Sequence, residues 1–175
     1  MLVTIGARIK KLAKGLSAQD AADAFVLVQE QGPESVSPDK RNRADEFEAT
    51  VEAMFLMAAV DGNLGDEELA QLAASVDAFA SLDGKKKVDV GAMLVVLNQR
   101  LDEEGWTKRL ASVAARLRDR ESRAFAFRLS AGVAFVDDHV AHAEAAALEA
   151  MAAALAIGAD ESQEILYDVR ETLFD

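Results

Sequence analysis

Phe47, Val51, Met54, Phe55 and Ala58 recur at i, i+4, i+7, i+8 and i+11, so a helix through them carries an apolar face along its whole length. Such a helix is not stable alone in water and demands partners with matching faces. The rest of the chain supplies them. Leu69, Leu72, Val76 and Phe79 form a second stripe, and Trp106, Leu110, Val113 and Leu117 another, with Arg109, Arg116 and Arg118 expected outside it. Between these lies "VDVGAMLVVLNQRLDEEG", whose run at 93–97 is too uniformly apolar to be expected in water. "SRAFAFRLSAGVAFV" follows, with the Ser130 hydroxyl expected to bond a carbonyl one turn back. "EAAALEAMAAALAIG" is next, with Gly158 expected as its C′ residue, and Asp160 is expected to start a last helix with Gln163 at the capping-box spacing. Nowhere does period-two alternation with turn pairs persist. The expected fold is all-α, a compact bundle of about seven to eight helices.

Composition agrees: two prolines and 6% aromatic residues against abundant Ala and Leu disfavour strands. A length of 175 residues suits one domain with its own core. The net charge of −12 argues against a nucleic-acid partner and favours cations or basic partners. The absence of cysteine excludes disulfides, thiolate metal sites and cysteine nucleophiles. "MLVTIGARIKKLAKG" is a poor signal peptide and no run of 18 apolar residues occurs, so the expected location is the cytoplasm.

Residues 1–36 differ from the rest and read as a basic N-terminal helical arm or extension; 37–175 read as a single helical domain. Ile5, Ile9 and Leu12 lie at helical spacing among Arg8, Lys10, Lys11 and Lys14, with no acid before Asp20. A short basic amphipathic stretch of this kind suits weak contact with an anionic membrane surface or an acidic face of its own protein. Ser17 and Gly32-Pro33 bracket a helix, and Ser37-Pro38 is a good start for the next.

The chain also repeats itself. At an offset of 76, Met57-Ala58-Ala59-Val60 lands on Val133-Ala134-Phe135-Val136, Asp61 on Asp137, Leu64 on Val140, Glu68 on Glu144, Leu72 on Leu148 and Phe79 on Leu155. Each copy, about 44–82 and 120–158, reads as a buried helix, an Asp at its C-terminal end, one apolar plug, and a second helix with Glu in its first turn. Two such hairpins related by a pseudo-twofold would bury four apolar faces together.

"AAVDGNLGDEEL", with "AFVDDHVAHAEAAAL" as a degenerate second copy and "LAIGADESQEILYDV" as the closing turn and helix, resembles the TerB-like family of helical proteins associated with tellurite resistance. The resemblance covers roughly residues 40–175. It implies a bundle of two pseudo-symmetric halves and a non-catalytic, metal-binding stress-response module whose acidic patch also docks other proteins. Asp61, Glu68, Asp137 and Glu144 are the implied metal ligands. The second copy departs from the pattern, with Asp138 where Gly is usual, and is expected to run more continuously helical.

The residues themselves leave two readings open. Glu68 is explained as a helix-start carboxylate if Gly65 is the N-cap. Asp61 and Asp137-Asp138 sit where a helix C-terminus disfavours an acid, and a divalent cation, Ca²⁺ or Mg²⁺, would compensate. Asp66, Asp138, His139 and His142 are secondary candidates, the histidines at i, i+3 with Asp138 suiting Zn²⁺ or Ni²⁺. No phosphate loop or nucleophile elbow is visible, so no catalysis and no organic cofactor is expected. The alternative is a helical adaptor without metal, its acids only capping helices and solubilising the surface. The sequence leaves the oligomeric state open.

Overall fold

The computed structural model describes residues 9, 11–12, 18–60, 62, 64–80, 89–136, 139–140 and 142–174, with backbone alone at 18–22, 78–80, 136 and 139–140. Its helices are α1 (Ala18–Gln31), α2 (Pro38–Ala58), α3 (Asp66–Ala80), α4 (Val90–Glu104), α5 (Trp106–Arg116), α6 (Arg120–Ala134), α7 (His142–Ala154) and α8 (Ala159–Phe174), with a 3₁₀ turn at Pro33–Ser35. The architecture is an all-α bundle. No helix among the described residues is long and apolar enough to cross a membrane.

Helix α2 is the axis. Ser37 caps it, accepting from the Lys40 amide at 3.3 Å, with Pro38 in the first turn. Its second half is buried on every side, not on one stripe: Phe47, Val51, Ala53, Met54, Phe55, Leu56 and Met57 are all in the core. Helices α1, α5 and α6 surround it. α5 runs antiparallel to α2, because Trp106, Arg109, Arg116 and Arg118 meet Leu56, Glu52, Glu48 and Asp45 in turn. The Trp106 indole N–H donates to the Leu56 carbonyl at 2.8 Å, satisfying an acceptor that the end of α2 leaves open.

After α5 the chain turns back, and the start of α6 sits by α2, with Ser122 hydrogen-bonded to the Glu46 carboxylate. From Glu46 most of the remaining length of α2 lies toward its C-terminal end. α6 packs extensively on α2 and therefore follows it in the same sense. α7 returns, since Leu155 at its end accepts from Arg123 near the start of α6 at 3.3 Å. α8 then runs along α6, tied by Arg120–Glu161, Arg128–Asp168 and the Phe135–Phe174 ring contact. The ends of α2 and α6 thus emerge at the same end of the bundle.

Ile9, Leu12, Ala24 and Phe25 belong to the same core as α2 and α6, so the described part of residues 1–36 packs as part of the bundle. Ile9 and Leu12 approach α6 where Gly132 lacks a side chain: a Cβ there would stand 2.5 Å from Leu12 Cδ1.

Several local expectations are corrected. In the run at 93–97, Leu94 and Leu97 are buried but Val95 and Val96 are 50% and 43% exposed, because successive helical residues point about 100° apart and cannot share one face. The residue ending α7 in the left-handed region is Ala156 (φ 57), not Gly158. Ile157 N donates to Ala152 O at 2.9 Å and Ala156 N to Ala153 O at 3.2 Å, the Schellman pattern. α8 begins at Ala159, one residue before the expected cap. Thr50 and Ser75 do bond carbonyls one turn back, but the buried Ser130 hydroxyl has no hydrogen-bond partner among the described residues. Ser17, expected as the cap of α1, lies outside the described residues.

Candidate functional site

The first junction is built by backbone geometry. α2 ends with Ala59 N on Phe55 O at 2.9 Å, then Gly62 N on Ala59 O at 3.0 Å. Gly62 has φ +126, which only glycine adopts without strain. Leu64 is buried as the expected apolar plug. Its backbone is gripped from α4: Asn98 Nδ2 donates to Leu64 O and Asn98 Oδ1 accepts from Leu64 N, each at 3.3 Å. Gly65 caps α3, and its N–H donates to Glu68 Oε1 at 3.2 Å. That is the return half of a capping box, with glycine where a hydroxyl residue is usual. Glu68 is exposed and Asp66 beside it likewise. Asp61 lies outside the described residues.

The second junction is not continuously helical. α6 stops at Ala134, and Phe135–Val136 pairs antiparallel with His139–Val140, Phe135 opposite Val140 and Val136 opposite His139. α7 then starts at His142, which is exposed, with Glu144 half-buried in its first turn. His139 is described by its backbone alone; Asp137 and Asp138 lie outside the described residues.

Two pairs of helix boundaries share the offset of 76. Ala134 ends α6 76 residues after Ala58 ends α2, and His142 starts α7 76 residues after Asp66 starts α3. Phe174, 76 residues beyond Asn98, also holds its junction: its ring centroid is 5.9 Å from that of Phe135. An amide grips the first junction and an aromatic ring the second. Among the described residues, no group of three or more His, Asp or Glu side chains could hold a metal ion.

The most heavily engaged charges lie elsewhere, and sequence reasoning missed them. Arg109, expected outside its stripe, is buried. Its Nε and Nη2 donate to the two oxygens of fully buried Glu52 at 2.7 and 2.8 Å, and its Nη1 to Glu104 at 3.1 Å. Arg116 also reaches Glu52, and its Nη1 donates to Glu48 at 3.3 Å, a carboxylate shared with Arg100 at 3.2 Å. The hydrogen bonds that Arg109 donates to Glu52 raise its pKa further, against the opposing effect of burial. Three carboxylates thus face three guanidiniums. The signal was present as Glu48 and Glu52 one turn apart inside an otherwise apolar helix, with Arg109 and Arg116 two turns apart on another.

A cleft of about 330 Å³ opens where α6 and α8 begin, lined by Arg120, Arg123, Leu155, Ile157 and Glu161. Arg123 is spent on three carbonyls, those of Ala114, Leu117 and Leu155, and Arg120 is paired with Glu161. Helix ends, not a ligand, thus account for the inner arginine. Comparison of the chain with protein-family models, curated proteins and solved structures finds no match.

Proposed function

We propose that this chain is a non-catalytic cytoplasmic helical module that takes a divalent cation, Ca²⁺ or Mg²⁺, at its two acidic junctions and docks other proteins through the same acidic end, in the manner of the TerB-like stress-response family it resembles. Asp61 and Glu68 would serve from the first copy and Asp137 and Glu144 from the second. One observation carries the reading: α2 and α6 run in the same sense and end together, with boundaries at a constant offset. Adjacent packed helices lie about 8–10 Å apart, a gap that two carboxylates and an ion with ~2.3–2.6 Å oxygen distances can bridge. With an ion between them, carboxylates set against the negative ends of two helices would cease to be a cost.

A second reading is favoured by the bond from Gly65 N to Glu68 Oε1, which accounts for Glu68 without any ion. In it the chain is a metal-free helical adaptor whose acids cap helices and keep its surface soluble.

Thermal melts of chelated protein, with and without Ca²⁺, Mg²⁺, Mn²⁺ and Zn²⁺, separate the two. At about 100-fold excess over Kd an ion adds about 2.7 kcal/mol, a shift of several degrees here. Wild type should shift, and a variant carrying Asp61→Asn with Asp137→Asn should not. If neither responds to any ion, the adaptor reading replaces the cation site.

A further inference from the structure

Helix α4 has two apolar faces, and the bundle covers one of them. Val90, Leu94, Leu97 and Leu101 are buried. On the opposite side Ala92, Val95, Val96, Gln99 and Glu103 recur at i, i+3, i+4, i+7 and i+11, and all five are exposed. Among the described residues, the exposed large apolar side chains are Val95, Val96 and, on α8, Tyr167. Single exposed apolar residues are ordinary. Two adjacent valines in mid-helix are not, because β-branching disfavours the helix and these two leave much of their surface in water. The stripe is also held still. Asp89 caps the helix, its Oδ1 accepting from Ala92 N at 3.0 Å, and Gly105 N closes the other end on Leu101 O at 2.8 Å. Asn98 and Arg100 tie the flanks of α4 to Leu64 and Glu48. A surface fixed in advance loses little freedom when it is covered.

The charges around the stripe choose its occupant. Asp89 is exposed at one end, and Asp102 and Glu103 are exposed at the other. Pairing α4 with that of a second copy sets like charges together whichever way it runs. Antiparallel about Val95–Val96, Asp89 meets Asp102; parallel, Asp102 and Glu103 meet themselves. Each copy also carries a net charge of −12. A partner helix with apolar residues at the same spacing and Lys or Arg at both ends meets no such cost. From Asp89 to Glu103 the helix rises about 21 Å, so roughly four turns of partner cover the stripe. We propose that the outer face of α4 docks an amphipathic helix of another protein, with apolar residues over Ala92, Val95 and Val96 and basic ends against Asp89 and Asp102–Glu103. The face uses none of the proposed cation ligands and stands whether or not a cation binds at the junctions.

The test uses the full chain and a fluorescein-labelled four-turn peptide with leucine at i, i+3, i+4, i+7 and i+11 and lysine at both ends, beside a counterpart with glutamate for lysine. Fluorescence anisotropy reads binding, circular dichroism reads the fold, and sedimentation equilibrium reads the oligomeric state. Wild type should bind the lysine peptide and not the glutamate one. Val95→Ser with Val96→Ser should weaken binding by about tenfold or more, since two apolar side chains leave the interface. Asp102→Asn with Glu103→Gln should weaken it by about two- to fivefold, less as salt is raised. Tyr167→Ser, which removes the exposed apolar side chain of α8, should leave binding unchanged. If wild type binds neither peptide or both alike, or if the double serine variant binds as well as wild type, the face is not this docking site. If wild type dimerises and the serine variant stays monomeric, the occupant is a second copy and the proposal falls. Should the serine variant fail to fold, Gln99→Lys decides: a cation in mid-stripe should weaken binding of the lysine peptide by about tenfold, and undiminished binding overturns the proposal.

Discussion

Glu52 and Glu68 are both helical carboxylates near the same stretch of chain, and the fold treats them in opposite ways. Glu52 is fully buried and receives Arg109 and Arg116. Glu68 stands in water and, among the described residues, receives the amide that starts its own helix. Taking a charge out of water is costly unless it is paired, so each buried acid brings arginines with it, whereas an exposed acid needs nothing and remains available to a ligand. In this chain, charge inside the bundle holds helices together and charge outside it can serve other molecules.

The largest test of that contrast is Glu52→Ala. It takes from Arg109 and Arg116 the buried carboxylate they share, leaving them Glu104 and Glu48, and should cost about 3–5 kcal/mol, read as a lowered midpoint in urea unfolding. Replacing the pair together, Glu52→Met with Arg109→Met, should recover much of that loss; a double variant as unstable as the single one would show that packing, not charge, makes the site matter. Next in size is Asn98→Ala, which removes both hydrogen bonds to the Leu64 backbone and should cost about 1–2 kcal/mol in the same assay. Glu68→Gln, on the exposed side of the comparison, should cost no more than about 0.5 kcal/mol, because a neutral amide still accepts from Gly65. A larger loss would mean that Glu68 does more than cap its helix.

The smallest effect concerns pH. Glu46 has its pKa raised, first by burial and then by Asp119, against the lowering effect of the Ser122 hydrogen bond. Its folded-state pKa lies above the unfolded value, so the native state holds the proton more tightly. Its contribution is complete at pH below the ordinary glutamate value and is lost as pH rises through the raised one. Melts of Glu46→Gln across that window should lack this part of the decline seen in wild type.

Much of the bundle is legible in the sequence because local rules set it. Ser37-Pro38 starts a helix, and the stripe through Phe47 and Phe55 is core. Features set by distant partners are not legible. Glu52 and Arg109 are 57 residues apart, Asn98 and Leu64 are 34; two acids inside an apolar helix mark charges that need partners, but no local pattern says which residues those are. Arg109 reads as surface because arginine usually is, and only the buried Glu52 overrides that preference. Gly158 reads as the helix stop because glycine usually fills that conformation, yet Ala156 adopts it when Ile157 packs back on the helix end. Of the candidate site, the junctions and their offset of 76 are legible. The short ladder at 135–140 is not, since two residues per strand leave no periodicity to read.

The chain has a single tryptophan, and its indole N–H is anchored on the carbonyl of Leu56, near where α2 gives way to the first acidic junction. Indole emission depends on that hydrogen bond and on the water around the ring. The protein therefore carries its own optical gauge at the place where the two readings differ, and a cation titration can be followed in unlabelled protein by the colour of one residue.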